Sequence, residues 1–206
     1  MVVHILRHLR PQDRVRAAEL YIEAFRAKLS PAIGEDGPMR EFVAHHLHLD
    51  RVLTAIGEDD RLLGLAGLHT PDGPAFDPTY RGLVRATSAA SAWWRSLLLA
   101  PLHRSPRRGE LLLDGLCVDS AARGQGIGSL LLAETADIAR ERGLTRVSLS
   151  VIDTNPRARA LYERQGFVAG KVDRMGPFAR LYGFSRATAM HLALPPRGPD
   201  TSTPLP

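Results

Sequence analysis

A single cysteine stands in 206 residues, so no internal disulfide can form, and a reducing cytoplasm is the expected setting. The chain lacks any run of about 18 or more apolar residues, so no membrane-spanning helix is expected. Its opening, Met1-Val2-Val3-His4-Ile5-Leu6-Arg7, reads as too short and too charged for a secretory leader. No internal repeat is visible. The eight histidines give no H-x-x-x-H pair accompanied by a third ligand. His45, His46 and His48 therefore read as a helix surface rather than a metal site. The formal net charge is +5, but the arginines are scattered and no basic motif is interleaved with aromatics. Nucleic acid is not the expected partner. What is present is a 44% hydrophobic composition, enough for a sizeable core. One domain over 1–194 is expected, followed by a Pro-, Ser- and Thr-rich tail, 195–206, that should be disordered.

The most informative stretch is Glu110 to Arg142. An apolar run, Leu111 to Val118, reads as a strand. Asp119-Ser120-Ala121-Ala122 leads into Arg123-Gly124-Gln125-Gly126-Ile127-Gly128. Then Ile127, Leu131, Leu132, Thr135, Ile138 and Ala139 fall on one helical face, with Glu134, Asp137 and Glu141 on the other. Glycines between a strand and the first turn of a helix let phosphates approach free N–H groups and the positive end of the helix dipole. The spacing is not G-x-G-x-x-G, because Leu131 stands where the third Gly belongs. Nor is it a Walker A loop, since no Lys follows the glycines.

A second stretch, Val147 to Phe167, reads as a strand followed by a helix. Asn155 is placed as N-cap, Pro156 at the first helical position and Gly166 as left-handed C-cap. Together, R-x-x-G-x-G at Arg123 to Gly128 and N-x-x-A-x-x-x-Y-x-x-x-G-F at Asn155 to Phe167 resemble the two conserved blocks of the GNAT superfamily of acyl-CoA N-acyltransferases. They occur in the family's order and separation.

The resemblance implies an α/β (α+β) fold: a mixed, mostly antiparallel twisted sheet flanked by helices, splayed at the cofactor strand. It implies acetyl-CoA as co-substrate. The pantetheine would lie on the Leu116-Cys117-Val118 backbone and the pyrophosphate on Arg123, Gly124, Gln125, Gly126, Ile127 and Gly128. A backbone N–H near Val118 would be the oxyanion donor. Asn155 resembles the family's side-chain contact to the cofactor, and is equally read as a plain N-cap. Tyr162 resembles the general acid that protonates the departing thiolate, against a reading as packing aromatic. Asp114 resembles one placement of the general base. An aspartate inside LLLDGLCV has no evident structural reason to be there. A base or substrate-orienting role and a salt bridge to a local Arg both stand open. Glu35, Asp36 and His46 are weaker candidates for acceptor contacts. Cys117 has no His beside it in sequence and reads as a small packing residue rather than a nucleophile.

In chain order, Val3, Ile5 and Leu9 suggest a first strand. A helix is expected from an Asp13 N-cap to about Lys28, broken at Ser30-Pro31. A second should run from Met39 to about Leu49, and a hairpin should join Arg51–Gly57 to Arg61–His69. Residues 70–109 form an insertion longer than ordinary loops, reading as helix from Pro78 to about Ala100. A lid, a dimer contact and an ornament packed on the sheet are three readings of it. Gly170 to Arg186 reads as a long connection and Ala187 to Leu194 as the closing strand. The reading is direct acetyl transfer from acetyl-CoA to a primary amine in a ternary complex. Its rival is a non-catalytic CoA-binding or sensing module on the same fold. Dimerisation through the insertion or the last strand is left open.

Overall fold

The computed structural model describes residues 2–33, 37–77, 84, 92, 93 and 105–195. A seven-stranded sheet runs in the order β1-β2-β3-β4-β5-β7-β6. Its strands are β1 (Val3–Leu6), β2 (Val52–Gly57), β3 (Leu62–His69), β4 (Glu110–Val118), β5 (Arg146–Ile152), β6 (Val168–Arg174) and β7 (Arg186–Ala193). Every neighbouring pair is antiparallel except β4–β5. The helices are α1 (Arg14–Ile33), α2 (Gly37–His46), α3 (Ile127–Glu141), α4 (Pro156–Arg164) and the single turn α5 (Ala179–Tyr182).

Each face of the sheet carries its own core. α1 and α2 cover one, built on Leu20, Tyr21, Phe42, Val43, Leu65 and Cys117. α3 and α4 cover the other, with Ile127, Leu131, Ile138 and Tyr162 packed on Leu53, Leu111, Leu113 and Leu149. β2 and β3 are buried along their whole length, which is why they read as continuous apolar runs rather than alternating ones.

Three expectations shift. Asp13 gives its carboxylate to Arg10, 2.5 Å away, and a 3₁₀ turn leads straight into α1. α1 continues through Ser30-Pro31 to Ile33 and bends instead at Phe25, whose φ/ψ of −110°/15° lies outside the helix. The strand that the sequence carries through Val168 and Ala169 runs on to Arg174 as β6, an edge strand, where Gly170 onward read as a connection. The expected insertion helix falls mostly outside the described residues. Val84, Ala92 and Trp93 are helical. Ala92 is buried in the α1–α2 core and Trp93 is exposed. Glu35, Asp36 and Trp94 also lie outside the described residues, as does the tail from Pro196.

Candidate functional site

The site begins where β4 and β5 part. They pair over only three rungs, Glu110↔Arg146, Leu111↔Val147 and Leu112↔Ser148, and beyond these the strands separate. The antiparallel partner β3 fixes which groups of β4 face the gap. The Asp119 N–H donates to the Leu63 carbonyl at 2.8 Å, which makes that opposite pair a hydrogen-bonded one. Bonded and non-bonded pairs alternate along an antiparallel ladder. In the observed register (Gly64↔Val118, Ala66↔Leu116), the Leu116 and Val118 amides therefore turn away from β3 into the gap. The Val118 carbonyl on that side accepts from Arg123 Nε at 3.3 Å.

Past Val118 the chain makes a 3₁₀ turn, Ser120–Ala122, and then the glycine turn. Asp119 holds this corner. Its Oδ1 accepts from the Ala121 N–H at 3.0 Å, and Arg16 Nη2 sits 2.5 Å from its Oδ2. The backbone N–H first, and the Arg16 guanidinium with it, hold this carboxyl below the usual range. Gly124 and Gly126 have φ of 81° and 82°, and a Cβ on either would meet nothing within 4 Å. They are glycines for backbone conformation, under open space. Gly126 is the N-cap of α3 and no side chain caps it, so the first-turn amides of α3 have no side-chain partner. An uncapped helix start beneath open glycines suits a pyrophosphate. Gly128 differs: its Cβ would lie 2.9 Å from Leu161, so this glycine lets α4 close onto α3. The Gln125 amide reaches back to the Ala121 carbonyl at 3.4 Å. Arg123 bridges to Glu23 of α1 at 3.2 Å, tying the turn to the opposite core.

α4 starts as its sequence dictates. Asn155 Oδ1 accepts from the Ala158 N–H at 3.1 Å with Pro156 in the first turn, so the N-cap reading holds. Tyr162 is the one buried residue of α4. Its ring centroid lies 5.9 Å from that of Phe167, so it does pack. Burial, with the Cys117 thiol adding to it, pushes its hydroxyl above the ordinary tyrosine range, and it stays protonated at neutral pH. Cys117 is 2% exposed. Burial first, then Glu23, pushes its thiol up and keeps it from being a thiolate nucleophile.

Asp114 sits at a break in the β3–β4 ladder. Gly67 opposes Gly115 and Leu68 opposes Leu113, leaving Asp114 as the extra residue of a bulge. Its Oδ2 accepts from the Ala75 N–H at 3.2 Å. Its Oδ1 lies 3.6 Å from His69 Nδ1. Burial pushes its carboxyl up to about 7, against the lowering by the Ala75 N–H. Among the described residues no arginine pairs with it; its printed partners are the Ala75 N–H and His69.

Two neighbours of Asp114 were not visible in the sequence: His69, from a distant strand, and the Ala75 amide. The chain after β3 returns over the α1–α2 face. His48 N–H donates to the Ala75 carbonyl at 2.9 Å, and the Phe76 ring lies 5.4 Å from Tyr21 and 6.3 Å from Phe42. The root of the insertion is thus fastened to Asp114. His46 gives its Nδ1 to the Phe42 carbonyl at 2.8 Å. Among the described residues no three His, Cys, Asp or Glu side chains cluster as a metal site would need, and no helix is long and apolar enough to cross a membrane.

The profile of the Acetyltransferase (GNAT) family matches residues 15–167. Mycothiol acetyltransferase of Beutenbergia cavernae is 38% identical over 92 residues, covering 45% of this chain and 29% of that protein. Thialysine N-epsilon-acetyltransferase of Bos taurus is 38% identical over 56 residues, 27% of this chain and 33% of that one. The chain thus matches about a third of the length of these curated relatives. A GCN5-related N-acetyltransferase from Kribbella flavida shares the fold at a TM-score of 0.60 and 16% identity, over 93% of this chain and 98% of its own. A family profile that spans both sequence blocks, the common fold and a sheet parted beside an uncapped glycine turn agree: this chain belongs to the GNAT acetyltransferase family.

Proposed function

We propose that the chain is an N-acetyltransferase that passes an acetyl group from acetyl-CoA directly to a primary amine. The observation that carries this reading is the parting of β4 from β5, with the Leu116 and Val118 amides turned into the gap and the open glycine turn at its end. Bound there, acetyl-CoA would supply an activated acyl group as a thioester. Leu116, Cys117 and Val118 would hold its pantetheine arm as a strand is held. Gly124 to Gly128 and the first turn of α3 would hold its pyrophosphate, with Asn155 as a further contact. Arg123 braces this turn through Glu23.

The chain's own groups divide the remaining work. The Val118 N–H is the fixed donor for charge developing on an acyl oxygen. Asp114, pushed up to about 7, is matched to taking a proton from an ammonium near neutral pH. Only about one in 10³ lysine-like amines is neutral at pH 7, so such a base matters. Tyr162, held protonated, is the donor for the departing thiolate. The likeness to a thialysine N-epsilon-acetyltransferase favours an amine acceptor.

Release of free thiol from acetyl-CoA over a panel of amines, amino acids and short peptides tests the reading. Turnover on one acceptor class that disappears in Tyr162→Phe supports it. Tight acetyl-CoA binding with no turnover on any acceptor rejects it in favour of a CoA-sensing module.

A further inference from the structure

We propose that His69 is a positioning residue for Asp114: the imidazole and the carboxylate form a couple sharing one proton, and His69 Nδ1 receives the proton that Asp114 takes from the acceptor's ammonium. This rests on the reading of the site as an amine acetyltransferase and adds a partner to its carboxylate.

The β4 bulge makes the couple. With Leu68 opposite Leu113 and Gly67 opposite Gly115, Asp114 turns to the α1 face, and His69, two residues beyond Gly67, turns the same way. Gly67 lets Ala75 close onto this face, since a Cβ on it would lie 2.9 Å from that of Ala75. The two carboxylate oxygens have different commitments. Oδ2 is anchored by the Ala75 N–H at 3.2 Å, and Oδ1 faces Nδ1 at 3.6 Å. An approach of about 0.6 Å brings that contact to hydrogen-bond length. Both side chains are largely buried, at 9% and 17% exposed. Of the other titratable groups on this face of the described elements, Tyr21 of α1 faces Asp114 and Cys117 of β4 lies beside Tyr21, both neutral through burial. Glu23, further along α1, is paired with Arg123.

The step balances. An N–H bond of the ammonium breaks and a carboxyl O–H forms on Asp114. The proton then passes to His69 Nδ1, forming an N–H bond there. Asp114 returns to carboxylate, and the positive charge has moved from ammonium to imidazolium. An ion pair replaces a lone buried charge, and the base is restored.

The test needs no acceptor. Carboxyl and imidazole resonances of the full chain are titrated by NMR in the native protein, His69→Asn, His69→Gln and Asp114→Asn. The expected result is reciprocal coupling: the Asp114 midpoint rises by about one unit without the imidazole, and the His69 midpoint falls by about as much without the carboxylate. If neither histidine variant folds, Asp114→Asn still reads the coupling from the other side. Independent midpoints in the folded variants overturn the proposal. With an acceptor in hand, the acid limb of the kcat/KM profile of His69→Asn should move to higher pH by the same interval, and an unmoved limb overturns it too. Coupled midpoints with no turnover on any amine would leave the couple standing and sink the transferase reading. Turnover with uncoupled midpoints would do the reverse.

Discussion

Asp114 and Asp119 bracket the gap-facing end of β4 and respond to pH with opposite sign. Asp119 is held below the usual carboxylate range in the fold. Its contribution is present at neutral pH and is lost as pH falls through its folded value. Asp114 is raised from 3.8 to about 7, so the unfolded chain releases its proton first. It adds no penalty below about pH 4, a growing one between 4 and 7, and a constant one above, of order 4 kcal/mol. Asp114→Asn should therefore be more stable than the native chain at pH 8 and equal to it near pH 4, as urea midpoints at the two pH values would read. Tyr162→Phe keeps the ring against Phe167 and removes only the hydroxyl. It should lower kcat by about 10²- to 10⁴-fold with unchanged thermal stability, measured by thiol release and calorimetry. Asp114 and Tyr162 could be found from sequence because each breaks a local pattern: a charge in an apolar strand, and an aromatic at fixed spacing in a motif. His69 could not. It stands 45 positions before Asp114, and only antiparallel pairing and a one-residue bulge bring them together. Asp119 could have been: an aspartate before Ser-Ala-Ala at a strand end is an N-cap signal.

Among the elements, α1 and β4 meet more closely than any side chain at Gly115 would permit. A Cβ there would fall 2.5 Å from Phe25 Cζ, and Phe25 is where α1 leaves helical geometry. Gly115→Ala should cost about 1–3 kcal/mol of stability, and Phe25→Ala in the same chain should recover part of it, as a double-mutant cycle by denaturant unfolding would show. The well-patterned elements, β2, β3, β4 and α3, were legible because one face or both are buried and the apolar period is clean, and α4 was legible from its Asn155-Pro156 start. β6 was not. It is an edge strand with almost every side chain exposed, so no alternation marks it, and its identity comes from pairing with β7. The sequence broke α1 at Ser30-Pro31, whereas the residue that leaves helical geometry is Phe25, whose ring lies against Gly115 of β4.

For the molecule as a whole, the gap between β4 and β5 leaves strand-edge amides awaiting a partner. Acetyl-CoA at 100 times its dissociation constant should stabilise the fold by about 2.7 kcal/mol and slow hydrogen exchange at Leu116 and Val118 more than elsewhere in β4. Thermal scans and exchange mass spectrometry check both, and unchanged exchange at those amides would remove the strand-like mode of binding. The layered architecture was readable from the order of elements. The insertion's function was not, since its reading depends on what it touches; the described part shows its root on Asp114 and Ala92 buried in the α1–α2 core. Mechanically, the sheet is two plates riveted at three rungs, with α3 splinted across the plates from β1 to β5. Tension drawn from β3 to β7 concentrates on that short seam. A substrate laid along the gap would act as a tie-bar between the plates, so the protein would be stiffest while it holds what it is about to consume and most compliant just after letting it go.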